Sequence, residues 1–180
     1  MKYLVVSDIH GSLGGARLVK EAFERHECDA ILCLGDILYH GPRNDLPEDY
    51  APEEVIPVMN SLWDRIIAVR GNCDSEVDQM VLEFPITADY QILFLNGRRT
   101  VVSHGHIYSP EHLPKMEKGE IFLSGHTHIP TVLRSEDMFL LNPGSVALPK
   151  GNHPKTYAVL DEASFTIYTE KHSEYMKVQF

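Results

Sequence analysis

The sequence has no long apolar run, few cysteines and little positive charge. No window approaches the roughly 20 apolar residues that a membrane span requires, and the apolar start of the chain stops at Asp8, too early for a signal peptide. Cys28, Cys33 and Cys73 form no C-x-x-C pair, which argues against a disulfide scaffold and favours a cytoplasmic setting. Lys and Arg total 16 against 26 Asp and Glu, a net charge of −10, so the chain lacks the basic surface that holds long nucleic acids.

The rest of the composition is that of an ordinary globular protein. The chain has 180 residues, of which 43% are hydrophobic and 23% charged, enough for one domain with a hydrophobic core. No repeat, low-complexity segment or linker divides it, so we expect a single domain over residues 1–180. The acidic balance does not exclude a substrate that contains phosphate, because a bound metal ion can supply the positive charge.

The first half of the chain predicts alternating strands and helices. Three short apolar runs are typical of buried strands, and they cover residues 2–7, 30–34 and 66–69. Between the first two, apolar residues at helical spacing predict a helix that ends at about Glu27, which makes a βαβ unit with parallel strands. A second helix is expected over residues 52–64, kinked or delayed by Pro57, and Asp74 is the expected N-cap of a short third helix.

The second half predicts mainly β-structure. Residues 91–95 and 98–103 flank Asn96-Gly97, the strongest short-range signal for a β-hairpin. Further short strands are expected at residues 121–123, 131–134, 139–141, 156–160 and 164–169. We therefore expect an α/β domain in which helices flank sheets of parallel and antiparallel strands.

Five short stretches collect metal-binding residue types at predicted strand ends. They are residues 8–10 (Asp-Ile-His), 35–36 (Gly-Asp), 71–74 (Gly-Asn-Cys-Asp), 104–106 (His-Gly-His) and 125–128 (Gly-His-Thr-His). The first three directly follow buried strands, so their side chains should meet at the carboxyl edge of one sheet, where α/β proteins bind ligands. Taken alone, each stretch is more simply explained as a turn, a helix cap or a hydrogen-bonded surface or core histidine than as a metal site. Together they predict a metal centre.

In this order the five motifs resemble those of the calcineurin-like metallophosphoesterases. The short chain without a capping segment is similar to the bacterial YfcE-type phosphodiesterases, and the likeness extends from Asp8 to residues 142–145 (Asn-Pro-Gly-Ser). This resemblance implies two facing mixed β-sheets flanked by helices, a four-layer sandwich, with two metal ions bound at the sheet edge.

The resemblance also implies which residues hold the two ions. Asp8, His10 and His128 would bind the first ion, and Asn72, His104 and His126 the second. Asp36 would bridge both, as two divalent ions ~3.5–4 Å apart need a shared carboxylate to reduce their repulsion. Mixed oxygen and imidazole ligands suit Mn, Fe, Ni, Co or Zn, and the resemblance favours Mn²⁺. Without a cysteine ligand, the site does not have the composition of a closed structural zinc site.

The expected activity is the hydrolysis of a small phosphodiester by a hydroxide that bridges the two ions. A phosphomonoesterase is the nearest enzymatic alternative. A protein-binding scaffold is another, since a retromer subunit of this fold has a damaged metal set. Nucleases of the superfamily carry additional segments for which this acidic chain leaves little room. All seven metal positions here have side chains that can bind an ion, which favours the enzyme.

Cys73 departs from the family pattern. Where relatives have histidine at this position, it is thought to protonate the leaving group, and a thiol is a weaker hydrogen-bond donor. Loss of a general acid costs ~10²–10⁴-fold and affects poor leaving groups most. We therefore expect better activity on aryl than on alkyl phosphodiesters. Cys73 could also be a nucleophile or simply a small residue lining the site.

Other residues near the expected metals are candidates for catalysis and substrate binding. Asn72 has a place in catalysis as well as in metal binding, and Asp74 orients neighbouring groups or caps a helix. His106 is expected to support the second metal site, to contact the substrate, or to hydrogen-bond a metal ligand without binding the ion itself. Arg43 could hold a phosphate oxygen with Asn44 assisting, although both could be ordinary loop residues. The exposed hairpin edge and the aromatic residues make a homo-oligomer reasonable.

Overall fold

A computed structural model describes residues 1–135 and 138–180 of the chain. The α-helices are α1 (Leu13–Arg25), α2 (Pro52–Asn60) and α3 (Glu76–Gln79), with a 3₁₀ turn at Trp63–Arg65. The strands are β1 (Tyr3–Val6), β2 (Ala30–Cys33), β3 (Ile66–Ala68), β4 (Tyr90–Leu95), β5 (Arg98–Ser103), β6 (Ile121–Leu123), β7 (Thr131–Ser135), β8 (Met138–Asn142), β9 (Thr156–Leu160), β10 (Ser164–Thr169) and β11 (Glu174–Gln179). No helix in this part of the chain has both the length and the apolar character needed to cross a membrane.

The first sheet has six strands in the order β11-β10-β9-β1-β2-β3. Strand β1 pairs in parallel with β2, and β2 with β3, which confirms the predicted βαβ unit. On its other side β1 pairs antiparallel with β9, and β10 and β11 continue the antiparallel half. All four residues of β1 are buried, because both faces of this sheet are covered.

The second sheet has five strands in the order β4-β5-β6-β8-β7. Strands β5, β6 and β8 are parallel to one another, whereas β4 and β7 pair antiparallel at the two edges. The predicted hairpin is confirmed as β4 and β5. Its turn places Asn96 at φ 52° and Gly97 at φ 79°, the left-handed backbone that a two-residue hairpin turn requires.

The two mixed sheets face each other across a hydrophobic core, which confirms the expected fold. Alternate residues of β1 divide between two cores: Tyr3 and Val5 pack between the sheets, and Leu4 and Val6 pack toward α1 and α2. The outer face of the five-stranded sheet packs instead against side chains from the irregular segment 104–120, which glycines and prolines keep from forming a helix.

The helix starts differ from expectation in two places. Helix α2 begins at Pro52, as the predicted range has it, and contains Pro57, so of the two expected effects of this proline the later start was wrong; the helix ends at Asn60, before the expected end at residue 64. The expected N-cap Asp74 was also wrong. Ser75 caps α3 by accepting a hydrogen bond from the Asp78 N–H, and the Asp78 carboxylate accepts one from the Ser75 N–H. This reciprocal pair satisfies two backbone donors, and the Asp74 carboxylate binds elsewhere.

Strand β11 was not predicted from the sequence. It lies at the edge of the six-stranded sheet, where its side chains are mostly exposed, and it pairs with β10 across an irregularity in register. Met176 and Val178, two residues apart, pack against the core between the sheets, but an alternation of two apolar residues is too short to distinguish an edge strand from a loop.

Candidate metal centre

The predicted ligands follow the carboxyl ends of parallel strands from both sheets. In the first sheet, Asp8 and His10 follow β1, Asp36 follows β2 and Asn72 follows β3. In the second sheet, His104 follows β5, and His126 and His128 follow β6. The two sheets bring these ends to one edge of the sandwich, so the structure places all seven predicted ligands together.

One cluster contains Asp8, His10 and His128. Asp8 Oδ1 lies 3.2 Å from His128 Nε2 and 3.5 Å from His10 Nε2. The two Nε2 atoms lie 3.2 Å from each other. All three side chains are buried, and their ligand atoms are close enough together to share one cation. This is the set predicted for the first ion.

A second cluster surrounds His104. Its Nε2 lies 3.1 Å from Asn72 Oδ1, 3.2 Å from His126 Nδ1 and 3.4 Å from Asp36 Oδ2. The same Asp36 oxygen lies 3.7 Å from His10 Nε2 in the first cluster. The carboxylate of Asp36 therefore lies between the two clusters, where a bridging ligand would be.

Backbone carbonyls orient three of the four imidazoles. His10 Nδ1 donates to the Tyr39 carbonyl (2.9 Å), His104 Nδ1 to that of Leu34 (2.7 Å) and His128 Nδ1 to that of Leu148 (2.5 Å). Because a carbonyl only accepts, each Nδ1 carries a proton, and each Nε2 is directed into the centre, where it can hold a second proton or bind a cation. The Nε2 atoms of His10 and His128, 3.2 Å apart, repel each other unless a proton or a cation lies between them.

The chemistry of this donor set fits divalent cations. Asp8 Oδ1 is buried and has no hydrogen-bond partner among the described residues, a loss of about 1–3 kcal/mol that a bound cation would remove. Burial opposes ionisation of Asp8, but the close imidazoles of His10 and His128 outweigh it and hold its pKa well below the usual range. Burial likewise opposes the imidazolium of His104, yet Asp36 raises its pKa to about 9. The buried carboxylates thus attract positive charge strongly.

Five of the seven candidate ligands have a left-handed backbone conformation. The φ angles are 59° at Asp8, 48° at His10, 56° at Asp36, 66° at His126 and 60° at His128. Each such residue costs ~1–3 kcal/mol and persists only where its surroundings hold it. The strain lets the chain reverse directly after a strand, so that the side chain is directed into the centre.

Asp74 holds two of the ligand loops together. Its carboxylate accepts hydrogen bonds from the N–H groups of Asp36 (2.8 Å), Ile37 (2.8 Å) and Gly71 (2.7 Å). Burial raises the pKa of Asp74, and these bonds to the ionised form oppose that rise. The loops lie so close that a Cβ on Gly71 would be 2.0 Å from Asp36 Oδ1. Of the two predicted roles for Asp74, the structure therefore favours the orienting one.

Cys73 lines the cleft over the metal centre, a cavity of about 300 Å³. Its N–H donates to Asp36 Oδ1 (2.8 Å), and Asn72 Nδ2 donates to its sulfur (3.2 Å). Burial, with the neighbouring Asp36 carboxylate, raises the pKa of the Cys73 thiol to about 12. Without a bound metal this thiol stays protonated and is a poor nucleophile, which supports a lining role for Cys73.

The other predicted residues differ in how close they lie to the centre. Arg43 and Asn44 line the cleft, and Asn44 Nδ2 donates to the His40 carbonyl (2.9 Å). His106 is exposed and is not among the residues that line the cleft. Its ring centroid lies 5.4 Å from that of His104 and 6.3 Å from that of His126, so it adjoins the second cluster from outside.

Sequence reasoning missed several residues at the site. Lys150 and Thr127 line the cleft. Ser7 Oγ donates to Asp8 Oδ2 (2.6 Å), Ser145 Oγ donates to the Asp8 carbonyl (2.8 Å), and Asn142 Nδ2 donates to the Gly125 carbonyl (2.8 Å). The stretch 142–145 begins at the last residue of β8, at a strand end like those that identified the ligands. Nothing in the sequence around Lys150 marks it.

The comparisons with known proteins agree with this geometry. A model of the calcineurin-like phosphoesterase superfamily domain matches residues 1–164. The chain belongs to this family of phosphoesterases.

Among individual proteins, the chain is similar to phosphodiesterase YfcE of Escherichia coli strain K12. The two are 48% identical over 161 residues, which cover 89% of this chain and 88% of YfcE. A solved structure of Yfce, a phosphoesterase from E. coli, matches with a TM-score of 0.96 and 44% identity over 99% of this chain and 98% of that one. Probable metallophosphoesterase YsnB of Bacillus subtilis is 26% identical and covers 99% of this chain. The expected resemblance to YfcE-type proteins is confirmed.

Proposed function

We propose that this chain, as a single domain over residues 1–180, hydrolyses a small phosphodiester with two divalent metal ions. The observation that carries the proposal is the Asp36 carboxylate, which lies within 3.4 Å of His104 Nε2 and 3.7 Å of His10 Nε2, between two clusters of ligand atoms. The enzyme class rests on the family: the chain is a phosphoric diester hydrolase, as its membership and its identity to phosphodiesterase YfcE indicate.

Two divalent ions in this centre would lower the pKa of a water molecule that attacks phosphorus, and would neutralise charge on the phosphoryl oxygens. Asp8, His10 and His128 would hold one ion, Asn72, His104 and His126 the other, with Asp36 shared. The buried carboxylates and the carbonyl-bound imidazoles hold these ligands in place before substrate arrives, which reduces the reorganisation needed during reaction. Mn²⁺ is the proposed ion, and the mixed ligand set also suits Ni²⁺, Co²⁺, Fe²⁺ or Zn²⁺.

The chain's own cations complete the binding site for phosphate. Arg43 and Lys150 line the cleft from its rim, where they could bind the non-bridging oxygens. The Cys73 sulfur lies within 4.8 Å of ligand atoms of Asp36 and His10, and as a weak donor it would give little help to a poor leaving group. His106 lies outside the second cluster, where it would orient the ligands of that cluster or contact one arm of the substrate.

The size and charge of the site favour a small substrate. The cleft of about 300 Å³ lies at the lower end of the range for small-molecule sites. The protein carries a net charge of −10, so a long polyanion would be repelled by the surface outside the cleft. A protein-binding scaffold is disfavoured, because all seven positions have side chains that can bind an ion. The three free cysteines support our proposal of a cytoplasmic location.

Hydrolysis of bis-p-nitrophenyl phosphate in the presence of Mn²⁺ tests the proposal. We expect turnover by the native chain and its loss in the Asp36→Asn and His126→Ala variants, because the first removes the shared negative charge and one of the two bridging oxygens and the second removes an imidazole ligand. The matched controls, Asp64→Asn and His153→Ala, change the same residue types outside the cleft and should retain activity. Absence of turnover with Mn²⁺, Ni²⁺, Co²⁺ and Zn²⁺ would refute the proposal, as would full activity in Asp36→Asn.

A further inference from the structure

A second, apolar cavity opens beside the metal cleft and shares Cys73 with it. It has a volume of about 410 Å³, and its apolar lining comes from Leu38, Tyr39, Tyr50, Ile56, Val77 and Val81. The loop after β2 supplies Leu38 and Tyr39, the residues that follow the shared ligand Asp36. A phosphodiester bound over Asp36 would thus have this cavity directly beside Cys73.

The residues around the cavity favour an uncharged, planar occupant. The His40 ring lies between two tyrosines, edge-on to both, with centroids 4.8 Å from Tyr39 and 5.3 Å from Tyr50, and so fixes two aromatic rings near the cavity. Glu53 and Asp78 also line it. These carboxylates would repel an anionic group and leave the apolar surface for a neutral one.

The cleft adjoins a different kind of surface on another side. Another cavity, of about 250 Å³, shares Arg43, Asn44 and Lys150 with the metal cleft and is also lined by Asp45 and the residues 147–149. The two cations lie on this side, whereas the side beyond Cys73 has tyrosine, aliphatic and acidic side chains and no cation among the described residues that line it. A phosphodiester has two organic arms, and only the side beyond Cys73 offers one of them two tyrosines.

We propose that the cavity beyond Cys73 binds an uncharged aromatic arm of the phosphodiester substrate, and that it determines which diesters the enzyme prefers. The proposal rests on the proposed function for the position of the phosphate, and it adds the chemical class of one arm. The exposure of the lining supports a ligand site: Tyr39 (42%), Val77 (69%) and Val81 (41%) are exposed together around one cavity, and a group of exposed apolar side chains marks a binding surface where a single one does not.

Binding of two phosphonates that cannot be hydrolysed tests the proposal on the Mn²⁺-loaded protein. Phenylphosphonate and methylphosphonate carry the same anionic group, and only the first has an aromatic arm. By isothermal titration calorimetry we expect phenylphosphonate to bind about 10-fold more tightly, since burying a phenyl ring removes a large apolar area from water. Equal affinities, or no measurable binding of phenylphosphonate, would overturn the proposal.

Two variants of matched chemistry locate the effect. Val77→Glu places a charge at the cavity, and it should abolish the preference for phenylphosphonate while leaving the affinity for methylphosphonate unchanged. Met80→Glu is the control, because Met80 follows the same short helix, is 83% exposed and does not line the cavity. It should keep the preference. A preference that survives Val77→Glu would contradict the proposal.

The remaining outcomes separate this proposal from its alternatives. If light scattering shows that Val77→Glu and Met80→Glu both lower the oligomeric mass and neither changes the phenyl preference, the patch is a subunit contact and the proposal is wrong. Turnover of bis-p-nitrophenyl phosphate, measured in parallel, reports on the proposed function. A native protein that prefers phenylphosphonate without turnover refutes the proposed function and supports the cavity assignment. Turnover without a preference for phenylphosphonate supports the proposed function and refutes the cavity assignment.

Discussion

Replacing Asp74 with asparagine should separate the positioning of the metal ligands from metal binding itself. The Asp74 carboxylate contacts backbone N–H groups and is not one of the proposed ligands. One of its oxygens accepts from both Asp36 and Gly71, and the other accepts from Ile37. The side-chain oxygen of an asparagine can still accept from the N–H groups of Asp36 and Gly71. Its NH₂ group would then face the Ile37 N–H, and two donors cannot form a hydrogen bond with each other.

The size of the effect follows from these bonds. A hydrogen bond to a charged group contributes about 1.5–3 kcal/mol, and the Ile37 N–H would be left buried without an acceptor. Part of this loss is offset, because burial already disfavours the ionised form and raises the pKa of Asp74. We expect Asp74→Asn to lower the free energy of unfolding by about 2 kcal/mol, a substantial part of the 5–15 kcal/mol that is typical of proteins.

Urea unfolding and steady-state kinetics would measure both consequences. At an m-value of about 2 kcal/mol/M, the unfolding midpoint should fall by about 1 M. Activity on bis-p-nitrophenyl phosphate should fall about 10-fold or more, the usual cost of losing a group that orients a metal ligand. Asp64→Asn, at a side chain that is 52% exposed, should change stability by less than about 0.5 kcal/mol. Native stability and activity in Asp74→Asn would refute the positioning role.

Three further predictions concern residues around the cleft. Cys73→Ala should stay active, and an inactive variant would contradict the lining role of Cys73. The native enzyme should hydrolyse p-nitrophenyl diesters much faster than methyl diesters, and comparable rates would contradict the argument that the thiol is a weak donor. Lys150→Ala should raise the KM for bis-p-nitrophenyl phosphate about 3–10-fold with kcat nearly unchanged, whereas Lys171→Ala, outside the cleft, should leave both constants as they are. Gly125→Ala would place a Cβ 1.8 Å from Ser7 Oγ and should lower stability by about 1–3 kcal/mol in thermal unfolding; an unchanged Tm would show that the loop can move aside.

Much of the fold could be predicted because its central strands are buried on both faces. Apolar runs such as that of β1 and the Asn96-Gly97 turn are strong local signals, and both predictions were confirmed. Strand β11 carries a weaker signal, because only Met176 and Val178 alternate toward the core and its other side chains are exposed as they would be in a loop. The prediction that Asp74 caps α3 was wrong for a related reason. An acidic residue just before a helix has the sequence pattern of an N-cap, whichever backbone groups its carboxylate binds.

The candidate ligands could be identified from sequence because each follows a strand end, where a polar side chain beside a glycine is conspicuous. The left-handed φ angles at five of them could not be predicted, since Asp and His, although enriched there among residues other than glycine, adopt this conformation at only a small fraction of their positions. Lys150 was missed for another reason. It enters the cleft through a long connection after β8, and no local pattern reports which distant site such a connection will reach.

Metal titration of the metal-free protein, followed by its activity on bis-p-nitrophenyl phosphate, tests the two-metal account most directly. A chelator should abolish turnover, and added Mn²⁺ should restore it to a plateau at two equivalents per chain, with Asp36→Asn failing to reach that plateau. A plateau at one equivalent, or turnover that persists in the chelated protein, would contradict the account.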